Sequence, residues 1–138
     1  MIKKIGAIGL VIFCLAGCVK TGSGIPDVPV SFEATLTDPR LAGLKSINGA
    51  VIVNGYGVAG LILFREADGS YAAYDRCSSV NPQSKCAVTL DNPTLTATDP
   101  CSGAKFSLTD GTPVKAPATQ SLKPYTVNVS NFEIFVSN

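Results

Sequence analysis

Histidine is absent from all 138 residues of the chain. That gap removes the Ser-His-Asp triad, the neutral-pH imidazole base and every imidazole metal ligand. Tryptophan is missing too, and only 15% of residues are charged. The formal charge is +1, from 11 Lys and Arg against 10 Asp and Glu. Without Lys3 and Lys4 the balance is 9 − 10 = −1. A chain this close to neutral offers no basic surface for nucleic acid. Beyond the amino terminus, no apolar run is both long and helical in period, so a helical fold is excluded.

What is present is 46% hydrophobic residues, 13 glycines and 9 prolines. Turn formers at that density between apolar runs predict one compact, strand-rich domain.

The amino terminus reads as a leader. "MIKKIGAIGLVIFCLAGCVK" has a basic start at Lys3 and Lys4, then an apolar run from Ile5 to Phe13 that is too short for a permanent span. Leu15-Ala16-Gly17-Cys18 resembles the bacterial lipobox, in which cleavage precedes the cysteine that receives the lipid. The competing reading is an ordinary secretion signal that happens to contain cysteine. The expectation is a signal peptide over 1–17, a lipidated tether over 18–29 beginning at Cys18, and a β domain over 30–138. Acyl chains at Cys18 would hold the protein on a membrane of the bacterial cell envelope, facing the periplasm or exterior. Gly and Ser loosen the segment "KTGSGIPDVP", and Pro26 and Pro29 stiffen its far end.

From residue 30 the pattern is that of strands. "VSFEATL" alternates, "TDPRLAG" breaks it, and "GAVIVNGYGVAGLILF" gives two β-branched runs separated by glycines. "ADGS" between "LILFRE" and "YAAYDR" signals a hairpin. Near the end the apolar phase moves from Val127 and Val129 to Phe132, Ile134 and Val136. A one-residue slip cannot lie inside a regular strand, so a turn or bulge is predicted at Asn131. The fold class is all-β, an antiparallel sandwich or barrel. "GYGVAG" contains Gly-x-Gly-x-x-Gly, but it joins two strands with no βαβ unit around it, so it reads as a glycine bend.

Setting aside Cys14 and Cys18 leaves Cys77, Cys86 and Cys101, an odd number that permits one internal bridge. If Ala87–Leu90 and Thr94–Thr98 form a hairpin about Asp91-Asn92-Pro93, Cys86 and Cys101 meet at its open end. A Cys77–Cys101 bridge stays open as the alternative. Cys77, in the polar stretch "DRCSSVNPQSK", is then the spare thiol, read as inert rather than reactive. Asp75 and Asp99 read as a solvated strand end and a loop cap rather than an acid/base pair.

Four segments in order, "YAAYDRCSS", "KCAVTL", "DPCSGAKFSLTDG" and "APATQSLKPYTV", resemble a Rieske [2Fe-2S] domain over roughly residues 45 to 130. Pro100, Gly103, Phe106 and Gly111 keep the frame of that family's second loop. Ala116-Pro117-Ala118 matches the loop that covers the cluster, and Leu122 and Tyr125 continue the frame. The resemblance implies a cluster with two cysteines on one iron and two histidines on the other. Cys77 takes the first cysteine position and Ser79 the first histidine position. Asp99 takes the second cysteine position and Ser102 the second histidine position. Cys86 and Cys101 match the non-ligand pair that forms a disulfide between the two loops in better-known branches.

One ligand of four remains, and serine hydroxyls are poor substitutes for thiolate or imidazole. Zinc on Cys77, Cys86, Cys101 and Asp99 would require all three thiols reduced in an oxidising compartment. No cofactor and no catalytic residue is therefore expected. The expected function is a non-catalytic binding or accessory module. Its former cluster-tip loops, 76–86, 99–103 and 112–121, would face an envelope protein partner. The alternatives are a Rieske [2Fe-2S] electron-transfer protein (an oxidoreductase component) and a thiol/disulfide redox module using Cys77.

Overall fold

The structure, a computed structural model, describes residues 24–138. The leader, Cys14, Cys18 and the first part of the tether lie outside the described residues. Ten strands form in chain order: β1 (Ser31–Thr35), β2 (Ala50–Val53), β3 (Leu61–Arg65), β4 (Tyr71–Asp75), β5 (Thr89–Leu90), β6 (Thr96–Thr98), β7 (Lys105–Ser107), β8 (Pro113–Lys115), β9 (Pro124–Ser130) and β10 (Glu133–Ser137). They make a six-stranded sheet in the order β1-β10-β9-β4-β3-β2 and a four-stranded sheet in the order β5-β6-β7-β8. The strand pairs are antiparallel, and the all-β sandwich expected from the alternation is what forms.

The run "LILF" in β3 explains the architecture. Leu61, Ile62, Leu63 and Phe64 are all fully buried, although successive strand residues point to opposite faces. Leu61 and Leu63 pack with Phe32, Leu41, Ile134 and Val136, where the large sheet curls over on itself. Ile62 and Phe64 pack with Val88, Phe106, Leu108 and Leu122, beneath the small sheet. A strand with a core on each face needs no polar alternation, and each such side chain contributes about 2 kcal/mol on burial. The break after β1 becomes a 3₁₀ turn over Pro39–Lys45, capped by Asp38 and anchored by buried Leu41 and Leu44.

The turns follow the sequence signals. Glu66 N donates to Ser70 O at 2.8 Å across the "ADGS" hairpin, with Gly69 at φ +88°. The phase slip is a two-residue turn: Asn131 and Phe132 sit at φ +51° and +61° between β9 and β10. Positive φ at both central residues is the type I′ geometry that matches strand twist. Phe132 was expected to share the inner face of Ile134 and Val136. Being in the turn it is instead 79% exposed, while those two are buried.

Register fixes which loops share an end. Leu61 pairs with Asp75 and Tyr74 with Pro124, so the segment after β4 and the segment before β9 leave the large sheet together. The β6–β7 connection joins them through the disulfide described below. This end is called the tip. The β3–β4 and β9–β10 turns lie at the opposite end.

Candidate functional site

The first tip loop starts where β4 ends. Val88 N donates to Arg76 O and Ser78 N to Cys86 O, each at 2.8 Å, so residues 76–88 form a closed finger. Arg76 braces it by donating from Nε to Val88 O at 3.1 Å. The second loop is a tight turn in which Gly103 N donates to Asp99 O and Asp99 N to Ala104 O, each at 2.8 Å. The fingers are joined covalently by Cys86–Cys101, with an S–S distance of 2.02 Å and Cα atoms 6.4 Å apart. Thr89 opposite Thr98 and Leu90 opposite Ala97 supply the hairpin that brings these cysteines together. The third segment closes over the first, because Ser79 Oγ donates to Gln120 O at 2.6 Å.

A second, non-covalent tie lies beside the bridge. Asp99 is fully buried. Its Oδ2 accepts from Ser78 Oγ and Ser102 Oγ, both at 2.7 Å. Its Oδ1 accepts from Cys101 N at 2.8 Å and Ser102 N at 3.3 Å. Burial alone would raise this carboxyl's pKa. The Ser102 and Ser78 hydroxyls and the two amides outweigh it and hold the group below the ordinary carboxylate range. The Asp99 carboxylate thus joins loop 76–86 to loop 99–103.

Asp75 is the same device one layer deeper, and here the solvated strand end expected from sequence is corrected. It is fully buried. It accepts from Val58 N at 2.7 Å, Ala59 N at 3.1 Å, Cys77 N at 2.8 Å and Tyr125 Oη at 2.7 Å. The donors Val58 and Ala59 belong to "GYGVAG". The glycine loop does cradle an anion, one supplied by its own chain. Gly57 at φ +63° leaves no room for a Cβ against the Asp75 carboxylate. Neither Ser78 nor this cradle was singled out from sequence. The available signal was an acid at the end of an otherwise apolar strand, beside a glycine-rich bend.

Cys77 is free and fully buried. Its thiol lies 3.6 Å from Ser78 O and from Pro82 O, to which it donates. Burial, and then the Asp75 carboxylate, push its pKa up to about 11, so it stays protonated near neutrality.

No protein-family model and no curated protein matches the chain. Solved structures do. The cyanobacterial plasma membrane Rieske protein PetC3 from Synechocystis PCC 6803 superposes with a TM-score of 0.55 at 23% identity, over 81% of this chain and 100% of that one. The fold is Rieske-like. A chain of the complex of reduced oxygenase and oxidised ferredoxin in carbazole 1,9a-dioxygenase gives 0.52 at 21% identity, over 78% of this chain and 93% of that one. The ferredoxin of carbazole 1,9a-dioxygenase from Nocardioides aromaticivorans IC177 gives 0.50 at 20%, over 80% and 97%.

A Rieske-like fold raises the question of a cluster, and the donors answer it. Cys86, Asp99 and Cys101 hold ligand-capable atoms within 4.8 Å of one another, the one such grouping found among the described residues. Two of its three donors are bonded to each other as a disulfide, and the third already accepts four hydrogen bonds. The four positions that the resemblance assigns to cluster ligands are engaged as well. Cys77 and Ser79 donate to backbone carbonyls, Ser102 donates to Asp99, and Asp99 is saturated. With no histidine in the chain, these residues do not fit a [2Fe-2S] cluster of mixed sulfur and nitrogen ligation.

Proposed function

We propose that the protein is a cell-envelope lipoprotein, acylated on Cys18. Its Rieske-like domain has exchanged an iron–sulfur centre for an internal tie and acts as a non-catalytic binding or accessory module. The observation that supports this reading is the Asp99 carboxylate. It stands at a position the resemblance assigns to a metal-binding thiolate, and four protein donors consume it. A site awaiting a metal presents donors whose lone pairs are free. This one spends them on Ser78, Ser102 and two backbone amides, beside a disulfide that locks the same two loops. Among the described residues of the tip there is no imidazole base, and the Cys77 thiol is buried with a raised pKa. The buried, protonated Cys77 thiol also counts against a thiol-exchange role, because the thiolate is the species that exchanges.

The test is metal and acyl analysis of protein isolated from its native membrane. The expected result is material without visible absorption, without iron or acid-labile sulfide, and with acyl mass on Cys18. Iron and sulfide in equal stoichiometric amounts, with the low-temperature resonance of a mixed-ligand cluster, would restore the electron-transfer reading. If Cys77→Ser slowed reduction or re-oxidation of the Cys86–Cys101 bridge, the thiol-exchange reading would take its place.

A further inference from the structure

The strand directions settle where the chain enters the domain. Ser31 pairs with Ser137 at one end of the β1–β10 ladder, and Thr35 pairs with Glu133 at the other, beside the Asn131–Phe132 turn. That turn lies opposite the tip, so the chain enters β1 from the tip side. The residues before β1 continue in that direction. Val30 N donates to Asn138 Oδ1 at 2.6 Å, and Lys123 Nζ meets Asp27 Oδ1 at 2.6 Å. Ile25 is buried, and a Cβ built on Gly24 would lie 3.5 Å from Pro82 Cγ. Residues 24–29, loose linker by composition, therefore lie along the domain and end against the first tip loop. Cys18 stands six positions before Gly24. Fully extended, that stretch reaches about 20 Å.

The charge on these loops is one-sided. Lys85 and Lys115 are exposed, and neither belongs to an ion pair among the described residues. Within 76–86, 99–103 and 112–121 the sole acid is Asp99, which is buried and consumed internally. Glu66 and Asp68 lie in the hairpin at the opposite end, and Asp110 is near enough to act on Glu66. Val114, beside Lys115, is an exposed apolar side chain.

We propose that the tip of the domain lies against the membrane surface, with Lys85 and Lys115 contacting anionic phospholipid headgroups. This rests on the acylation of Cys18, and it names the partner of the tip as lipid rather than protein. A short tether that ends against the tip brings that end to the bilayer, and the uncompensated lysines meet negative charge there. Any protein partner then meets the domain elsewhere, on the sides or on the end that carries the hairpins.

The experiment uses the full acylated protein in vesicles of phosphatidylglycerol and phosphatidylcholine. A pulse of amine-acetylating reagent is followed by peptide mass spectrometry, with the protein in non-ionic detergent as reference. Lys45 is the internal control, since its carbonyl is 3.4 Å from the Arg65 guanidinium at the end away from the tip. Labelling at Lys85 and Lys115 should slow by about fivefold each in the anionic vesicles, with Lys45 unchanged. The protection should fade at high salt. Acyl mass on Cys18 together with Lys85 and Lys115 as reactive as Lys45 would overturn the proposal alone and leave the tip open to a protein. Equal protection of all three lysines would overturn it as well. Absence of acyl mass on Cys18 would overturn the lipoprotein reading, and this orientation with it.

Discussion

Replacing Asp99 by alanine tests whether its carboxylate holds the tip together. The substitution removes the acceptor for Ser78 Oγ, Ser102 Oγ, Cys101 N and Ser102 N in one step. Ser102 is half-buried and Cys101 lies at the surface, so water can reach the donors they lose. Ser78 is fully buried, and its hydroxyl has no such recourse. A stranded buried donor costs about 1–3 kcal/mol, and a net hydrogen bond lost to water costs about 1 kcal/mol. Asp99→Ala should therefore cost about 4–6 kcal/mol, from one stranded donor and three bonds lost to water, Ser102→Ala about 1 kcal/mol and Ser78→Ala about 1.5 kcal/mol. Pairing Asp99→Ala with Ser78→Ala should show coupling of about 1 kcal/mol or more, since the two share one bond. Urea unfolding of the oxidised protein measures all of these. Asp99→Asn adds a check on charge. Its amide nitrogen must face one of the present donors, so the variant should fall close to alanine rather than to wild type. The group's pKa in the fold lies below its ordinary 3.8. Its contribution is thus complete above that value and lost as pH falls through the lower folded value. Other carboxyls in the chain titrate in the same region, so the diagnostic is the difference between curves. Wild type should lose more stability than Asp99→Asn as pH drops below about 4. An Asp99→Ala protein within 1 kcal/mol of wild type would refute the tie.

Five further outcomes follow from other parts of the fold. Cys86→Ser with Cys101→Ser should lower stability by about 3 kcal/mol, from reopening a loop with a sequence separation of 15. Alkylation of oxidised protein in denaturant should modify Cys77 alone of the three downstream thiols, with Cys86 and Cys101 following after reduction; a pattern that includes Cys77 in the bridge contradicts the structure. In native protein at pH 8, Cys77 should react with a thiol reagent at least 100-fold more slowly than in unfolded chain, because it is buried and its pKa stands near 11; labelling at the unfolded rate contradicts that burial. Gly57→Ala should cost about 2 kcal/mol or more, since a Cβ there meets the Asp75 carboxylate and comes within 2.8 Å of Tyr125 Oη. Phe132→Gly should instead stabilise by about 1 kcal/mol, because φ +61° suits glycine and the lost ring is 79% exposed; a drop in melting temperature would show that the ring contributes packing not apparent from its exposure.

Much of this architecture was legible because it rests on local chemistry. Alternation in β1, the "ADGS" hairpin and the phase slip at Asn131 each report a backbone constraint that a few neighbouring residues set. The Cys86–Cys101 bridge belongs with them, since a hairpin closing on itself brings its own ends together. The polar interior of the tip was not legible. Whether Asp75 is solvated depends on Val58, Ala59 and Tyr125, which reach it from 16 to 50 residues away. Strand alternation says which side a residue faces, but not whether another loop has closed over that side. Ser78 escaped notice for a related reason: it differs from Ser79 only in facing inward, and that direction is set by the Cys86 carbonyl across the finger.

The two buried aspartates also supply the acceptors that the tightly turned tip requires. Fingers folded this tightly turn backbone amides inward, and each buried amide must find an acceptor. Cys77 N is buried and Cys101 N lies nearer the surface, and each turns back onto the aspartate two residues before it. In a cluster-bearing arrangement, inward donors of this kind can be balanced by the negative charge of metal-bound sulfur. Here carboxylates take that part, Asp99 between the fingers and Asp75 beneath them. A cysteine in place of Asp99 would offer one weak acceptor where four donors converge, and no histidine stands ready to complete an iron site. Restoring a single ligand by Asp99→Cys should therefore destabilise the domain without conferring iron. Stable protein carrying bound iron after that one substitution would show that the scaffold had kept more of a metal site than its hydrogen bonds reveal.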